Sequence, residues 1–282
     1  MCRANNGTAV ILLMLTISIQ AIAGGGWIKK AGALYTKVGV TTLSTTKFHA
    51  NDGILVSTAE FQTLTIQVYG EYGIIDRLSA VFDIPVFRRH AYVTADAVSG
   101  IGDVGVELKY GILAEEFPLA FGVGAEFPTG DQNAFGRNKT NPANIIFLPT
   151  GDGEFNVWTR VYASHSFFPA PAFVSLDAGY NFRTKGLTNQ YQAGAQVGYK
   201  FFGTIWLFGN LRRFATAGAA NPAFIYSSVG VGEGVEYTTY GFGLSYEFIP
   251  RFNVTFDLAS ALGTVRNIYS GTNLGFGIAV DW

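Results

Sequence analysis

With 282 residues, a formal charge of −1 and only 14% charged side chains, the chain lacks the basic field that a nucleic-acid partner requires. It also lacks the charge density of an ordinary soluble domain, at about 25%. Its 35 glycines, 15% aromatics and mean hydropathy of +0.24, too low for a helical membrane protein, fit a sheet that is apolar outside and polar within.

The N-terminus carries an address. Arg3 precedes the apolar run from Ala9 to Leu15, and Ala21-Ile22-Ala23 fits a small-x-small cleavage site, so residues 1–23 are expected to be a cleaved signal peptide. Thr16, Ser18 and Gln20 interrupt the run before it reaches the roughly 20 apolar residues of a transmembrane anchor. Cys2 would leave with the signal, so the mature chain, 24–282, is expected to have no thiol chemistry. No linker or composition break divides that mature chain, which is read as one domain.

Beyond residue 23 no apolar stretch is long enough for a spanning helix, and only a closed sheet then satisfies the backbone within a bilayer. Alternation of small or polar with large apolar residues predicts an all-β fold, a single antiparallel transmembrane β-barrel of about twelve strands. The strands are expected at 33–47, 58–74, 78–90, 102–114, 118–129, 153–166, 171–184, 189–201, 203–215, 234–248, 251–263 and 269–282. Short connections (75–77, 115–117, 168–170, 202, 249–250) alternate with longer ones (48–57, 91–101, 130–152, 216–233, 264–268), with 185–188 a short exception. The short ones read as periplasmic turns and the long ones as extracellular loops. The final strand ends on Trp282, an aromatic terminus similar to the assembly signal of bacterial outer-membrane barrels, which implies the barrel-assembly machinery as a partner alongside the lipid bilayer.

Parity assigns the two faces. In the fourth strand Val104, Val106, Leu108, Tyr110 and Ile112 should meet lipid, while Asp103, Glu107 and Lys109 line the lumen. Collecting the inward rows gives Glu71, Asp83, Glu107, Lys109, Glu126, Arg160, Asp177, Arg183, Lys200, Arg212, Glu247 and Asp257, with the aromatics Phe61, Tyr69, Trp158, Tyr162, Trp206 and Tyr237. Both signs are present, so these side chains either pair and fill the barrel or line a solute path. The path candidates are Glu107, Lys109, Arg160, Arg183, Trp158 and Tyr162.

Pro128-Thr129-Gly130-Asp131 and Pro149-Thr150-Gly151-Asp152 are identical tetrapeptides around the longest loop. Their chemistry is that of turns at strand ends, with Asp131 and Asp152 bonding nearby backbone N–H groups. Assembly of Asp131, Asp152 and Glu154 around a hard cation is the weaker alternative, and no metal or cofactor is assigned. Among the three histidines, His165 lies in Ser164-His165-Ser166, whose neighbours point to the opposite face, which argues against a hydrolytic triad.

Several motifs carry a resemblance. They are Glu71-Tyr72-Gly73-Ile74-Ile75-Asp76-Arg77-Leu78, Asp83-Ile84-Pro85-Val86, Gly100-Ile101-Gly102-Asp103 with Lys109-Tyr110, the two Pro-Thr-Gly-Asp turns, Gly24-Gly25-Gly26-Trp27, and Gly179-Tyr180-Asn181-Phe182-Arg183. Over most of the mature chain the sequence resembles the outer-membrane barrels named for phenol meta-pathway degradation. The resemblance implies a transporter-like barrel for hydrophobic or aromatic compounds and no catalytic residue. Only about ten residues precede the first expected strand, so the long N-terminal plug of fatty-acid transporters is not expected. Composition, facing and resemblance together lead to a passive outer-membrane channel for a small solute, with the 130–152 loop controlling access. A closed structural or ligand-binding surface barrel is the alternative, and a lipid hydrolase comes third.

Overall fold

The computed structural model describes residues 25–224, 229–230 and 232–282; the expected signal peptide lies outside the described residues. Twelve long antiparallel strands follow one another in chain order: β1 (Leu34–His49), β2 (Leu55–Ile75), β3 (Leu78–Tyr92), β4 (Val104–Leu113), β5 (Leu119–Phe127), β6 (Asn156–Ser166), β7 (Ala172–Phe182), β8 (Gln190–Phe201), β9 (Ile205–Thr216), β10 (Tyr237–Ile249), β11 (Phe252–Ala261) and β12 (Asn273–Asp281). Each pairs with the next, and β12 returns to β1 in the register Tyr35↔Asp281 to Thr42↔Leu274. The sheet is thereby closed, with no free edge. No strand end departs from its expected position by more than four residues.

The long connections carry short strands of their own. Val98–Gly100 pairs with β3, Phe135–Arg137 with Ile145–Phe147 in a separate hairpin, and Ile268–Tyr269 with the end of β1. All of these cluster at one rim, opposite the short turns.

Facing follows parity. Val106, Leu108, Tyr110 and Ile112 are exposed on the outer surface, whereas Asp103, Glu107 and Lys109 of the same segment are buried inside. In β7, Leu176 and Phe182 are exposed while Ser175 and Asn181 are buried. An outer belt of Val197, Phe242, Phe276 and Ile278, each more than half exposed, would be untenable in water and suits lipid.

Candidate functional site

The lumen is organised in three levels. At the short-turn end, residues 25–33 run across the opening and form a floor. Gly26 N donates to Ser164 Oγ (2.8 Å), Lys29 N to Ser79 Oγ (3.1 Å) and Ala31 N to Asp76 Oδ1 (3.1 Å), so the segment touches strands on several sides of the barrel. Lys29 Nζ closes an ion pair with Asp281 at 2.7 Å, joining the floor to β12. Trp27 meets Phe173 edge to face (5.6 Å), and Phe173 continues to Trp206 (5.5 Å). Space for this segment depends on missing side chains: a Cβ at Gly73 would collide with the Lys30 carbonyl, and one at Gly26 with that of Pro118.

The middle level holds several of the inward charges in pairs. Glu107 accepts Arg160 Nη1 (2.5 Å) and Tyr162 OH (2.8 Å), and Lys109 pairs with Glu71 (3.3 Å) while lying 5.1 Å from the Tyr162 ring centroid. Arg160 in turn covers one face of Trp158 at 4.4 Å, and Trp158 Nε1 donates to Glu126 (3.3 Å). Arg212 stands 3.6 Å from Asp177 and Lys37 2.6 Å from Asp257, while nearer the short turns Lys200 lies 3.8 Å from Glu247. The 2.0-residue period that turns these groups inward is local, but their partners come from neighbouring or facing strands.

Packing is incomplete. A cavity of about 710 Å³ is lined by Arg88, Glu107, Glu126, Trp158, Arg160 and Tyr162 among others, and a second of about 300 Å³ by Tyr35, Lys37, Trp206 and Asp257. Tyr69 and Gln196 belong to both walls, so the two spaces adjoin along the barrel. Of the path candidates, Glu107, Trp158, Arg160 and Tyr162 line the larger cavity; Lys109 is buried beneath it against Glu71 and Tyr162.

Arg183 belongs elsewhere, to the roof at the long-loop end. Its guanidinium bonds Glu154, lies 3.3 Å from Asp152 and 3.7 Å from Glu233, and donates to Gly232 O (2.9 Å). Arg183, Glu154 and Glu233 are almost wholly excluded from solvent. Glu233 also accepts Asn221 N (2.6 Å) and Thr188 N (3.0 Å), so one cation ties three loops together. Burial pushes the Glu154 carboxyl up to about 7, against the pull of Arg183. The sequence offered no sign of Glu233 or of this clasp, because its members lie in four separate segments.

The duplicated turns form the second part of the roof. Asp103 accepts Gly130 N (2.9 Å) on one oxygen and Asp152 N (2.8 Å) on the other, so a single carboxylate holds both Pro-Thr-Gly-Asp turns. Burial shifts Asp103 upward, and the two N–H groups oppose that shift. Thr150 and Asp131 exchange two further bonds, Thr150 N to Asp131 O and Asp131 N to Thr150 Oγ1, each 2.9 Å. The Asp131 carboxylate accepts Asn133 N (2.8 Å) and Asp152 Oδ1 accepts Glu154 N (3.2 Å), while Asp152 and Glu154 both meet Arg183. Among the described residues no group of three or more His, Cys, Asp or Glu is disposed to hold a metal.

Beside these turns an apolar stopper packs Leu148 against Phe61, Leu43 and Tyr269, with Phe61 and Tyr269 stacked at 4.4 Å and Tyr92 OH 2.7 Å from Tyr269 OH. The 130–152 loop thus folds into the barrel mouth. At the opposite end Ser164 contacts Ser175 Oγ (2.9 Å) inside, whereas His165 bonds Glu116 O (2.8 Å) and stacks on Phe117 outside, so the two cannot act as a nucleophile and base.

No family model matches the chain, and no curated protein matches it. Solved structures do. An outer membrane channel from Pseudomonas putida F1 superposes with a TM-score of 0.69 over 93% of this chain and 99% of its own, at 17% identity. The NanC porin gives 0.53 over 89% and 100% at 12% identity, and the translocator domain of the autotransporter NalP from Neisseria meningitidis gives 0.52 over 90% of each chain at 10% identity. The fold is that of the outer-membrane β-barrels.

Proposed function

We propose that this chain is a passive outer-membrane channel for a small hydrophobic or aromatic solute. The observation that carries the reading is the pair of adjoining cavities in a barrel otherwise filled with side chains. The outer apolar belt supports residence in a bilayer, and the segregation of short turns from long loops supports a periplasmic floor and an extracellular roof. Residues 1–23 act as the secretory signal and the strand ending at Trp282 as the assembly signal in this reading.

A solute passes the roof, rests in the larger cavity, and leaves past the floor segment. Glu107, Arg160, Trp158 and Tyr162 line its path, while Lys109 braces Tyr162 from behind and Arg183 controls the roof. Access is governed by the 130–152 loop together with the 216–236 connection, since both end on Arg183. The aromatic solute class rests on the family resemblance, and the lumen aromatics offer rings on which such a solute can pack.

The test is reconstitution of the mature protein in liposomes, with ion conductance and swelling measured for phenolic, fatty-acid and sugar solutes. Selective swelling in phenolic or fatty-acid solutes is expected, with faster flux when residues 133–147 are replaced by a short turn. The rival reading, a closed surface barrel, draws on the same floor and roof; zero current and no swelling from a folded barrel would decide for it.

A further inference from the structure

We infer that the upper lumen contains a binding subsite for an organic ammonium ion, formed by Glu126, Asp152, Asn156 and Asn181 against the rings of Trp158 and Tyr237. All six line the larger cavity. The inference rests on the channel reading only in treating that cavity as reachable by solute.

The first observation is an excess of acceptors. Asn156 Nδ2 donates to Asp152 Oδ2 (3.3 Å) and Asn181 Nδ2 to Gln190 Oε1 (3.1 Å). Their carbonyl oxygens, Asn156 Oδ1 and Asn181 Oδ1, are buried and have no partner among the described residues. Turning the Asn156 amide over would set its oxygen against the Asp152 carboxylate, so its orientation is fixed; the Asn181–Gln190 pair keeps its hydrogen bond with both amides turned over, so the acceptor excess is carried by Asn156. Both side chains are only 1% exposed, and an unmet acceptor at such burial is costly unless a donor arrives.

The second observation is the charge of the wall. Arg160 is matched by Glu107 and Arg212 by Asp177. Among the described residues Arg88 is then the remaining cation of the wall, and it interacts electrostatically with Asp83, Asp103, Glu126 and Asp152. Asp152 does lean on Arg183, but that guanidinium already serves Glu154 and Glu233. Glu126 makes no ion pair within 4 Å among the described residues and is held by the side chains of Trp158 and Asn156. A ligand that brings several N–H donors and one positive charge meets both deficits at once; a neutral alcohol meets one, and a carboxylate aggravates both.

The third observation concerns the rest of the ligand. Phe214 stacks on Tyr237 at 5.2 Å and 13° and approaches Trp158 at 6.3 Å, which gives an apolar side to the same space. One face of Trp158 is occupied by Arg160, so an aryl or alkyl group would pack along the Phe214–Tyr237 side. The cavity volume is that of a site for a molecule of arylalkylamine size.

The experiment is calorimetric titration of the folded protein in uncharged detergent micelles with 2-phenylethylammonium, 2-phenylethanol and 3-phenylpropionate. The ammonium should bind about tenfold tighter than either analogue, and Glu126→Gln should weaken the ammonium by about tenfold while leaving the alcohol unchanged. Equal or tighter binding of the alcohol or the carboxylate overturns the subsite. So does an undiminished ammonium affinity in a folded Glu126→Gln variant; if that variant does not fold, the three-ligand comparison on the unmodified protein decides alone. Because binding in micelles requires no flux, conductance without ammonium preference rejects the subsite and spares the channel, whereas ammonium binding without conductance does the reverse.

Discussion

Replacing Arg183 by Ala isolates the roof clasp. Glu154 would lose its donor on one oxygen, and its other oxygen already lacks a partner among the described residues; Glu233 would keep the Asn221 and Thr188 N–H groups. The penalty therefore falls mainly on Glu154. Breaking a buried ion pair from one side costs about 3–5 kcal/mol, and the loops can avoid that cost by opening to water. If the lower figure applied in full, the open fraction would rise by more than about a hundredfold. Protonation sets a limit: burial has already raised Glu154 to about 7, and loss of Arg183 raises it further, so below neutral pH the carboxyl becomes neutral and the penalty shrinks. The expected result is rapid cleavage of the 130–155 and 216–236 segments by proteinase K at pH 8, far slower cleavage at pH 5.5, and larger single-channel currents at pH 8. Adding Glu154→Gln should restore much of the protection. A folded Arg183→Ala barrel with unchanged protection at pH 8, or with equal loosening at both pH values, would refute the reasoning.

Three other perturbations address the remaining levels. In the unmodified protein the closed roof holds Glu154 near 7 and an open roof returns it toward its ordinary value of 4.5, so protonation favours closure. That contribution is complete below about 4.5 and vanishes as pH rises through about 7; conductance should therefore climb across this window, and Glu154→Gln should flatten the climb. Gly73→Ala and Gly26→Ala place a methyl group against backbone carbonyls of the floor contact, so either should displace residues 25–33 and increase ion current with the barrel intact, as judged by heat-modifiable electrophoretic mobility; unchanged current would remove the floor as the constriction. Phe61→Ala takes a buried ring from the stopper of Leu148 and Tyr269, at a cost of about 3–5 kcal/mol, and should lower the unfolding midpoint in guanidinium while exposing the 130–152 loop to protease; a midpoint shift near zero would place the stopper outside the stabilising core.

Strand positions and facing were legible from the chain alone because both are local. A residue at i and one at i+2 share a face whatever the barrel does, and lipid on one side enforces the contrast; this is why the rows around Glu107 and Asp177 emerge from alternation without any knowledge of closure. The identical Pro-Thr-Gly-Asp turns announced themselves in the same local way. Who partners whom did not, because closure and strand stagger bring together groups such as Lys37 and Asp257, or Lys29 and Asp281, that lie at opposite ends of the chain. Parity turned Arg183 inward, and its place at the end of the expected 171–184 strand set it just below a loop, but only the folded loops reveal its clasp on Glu154 and Glu233. Residues 25–33 have no alternation to read; their place across the floor exists because Gly26 and Gly73 let one backbone lie against another, a relation among distant strands that no single segment encodes.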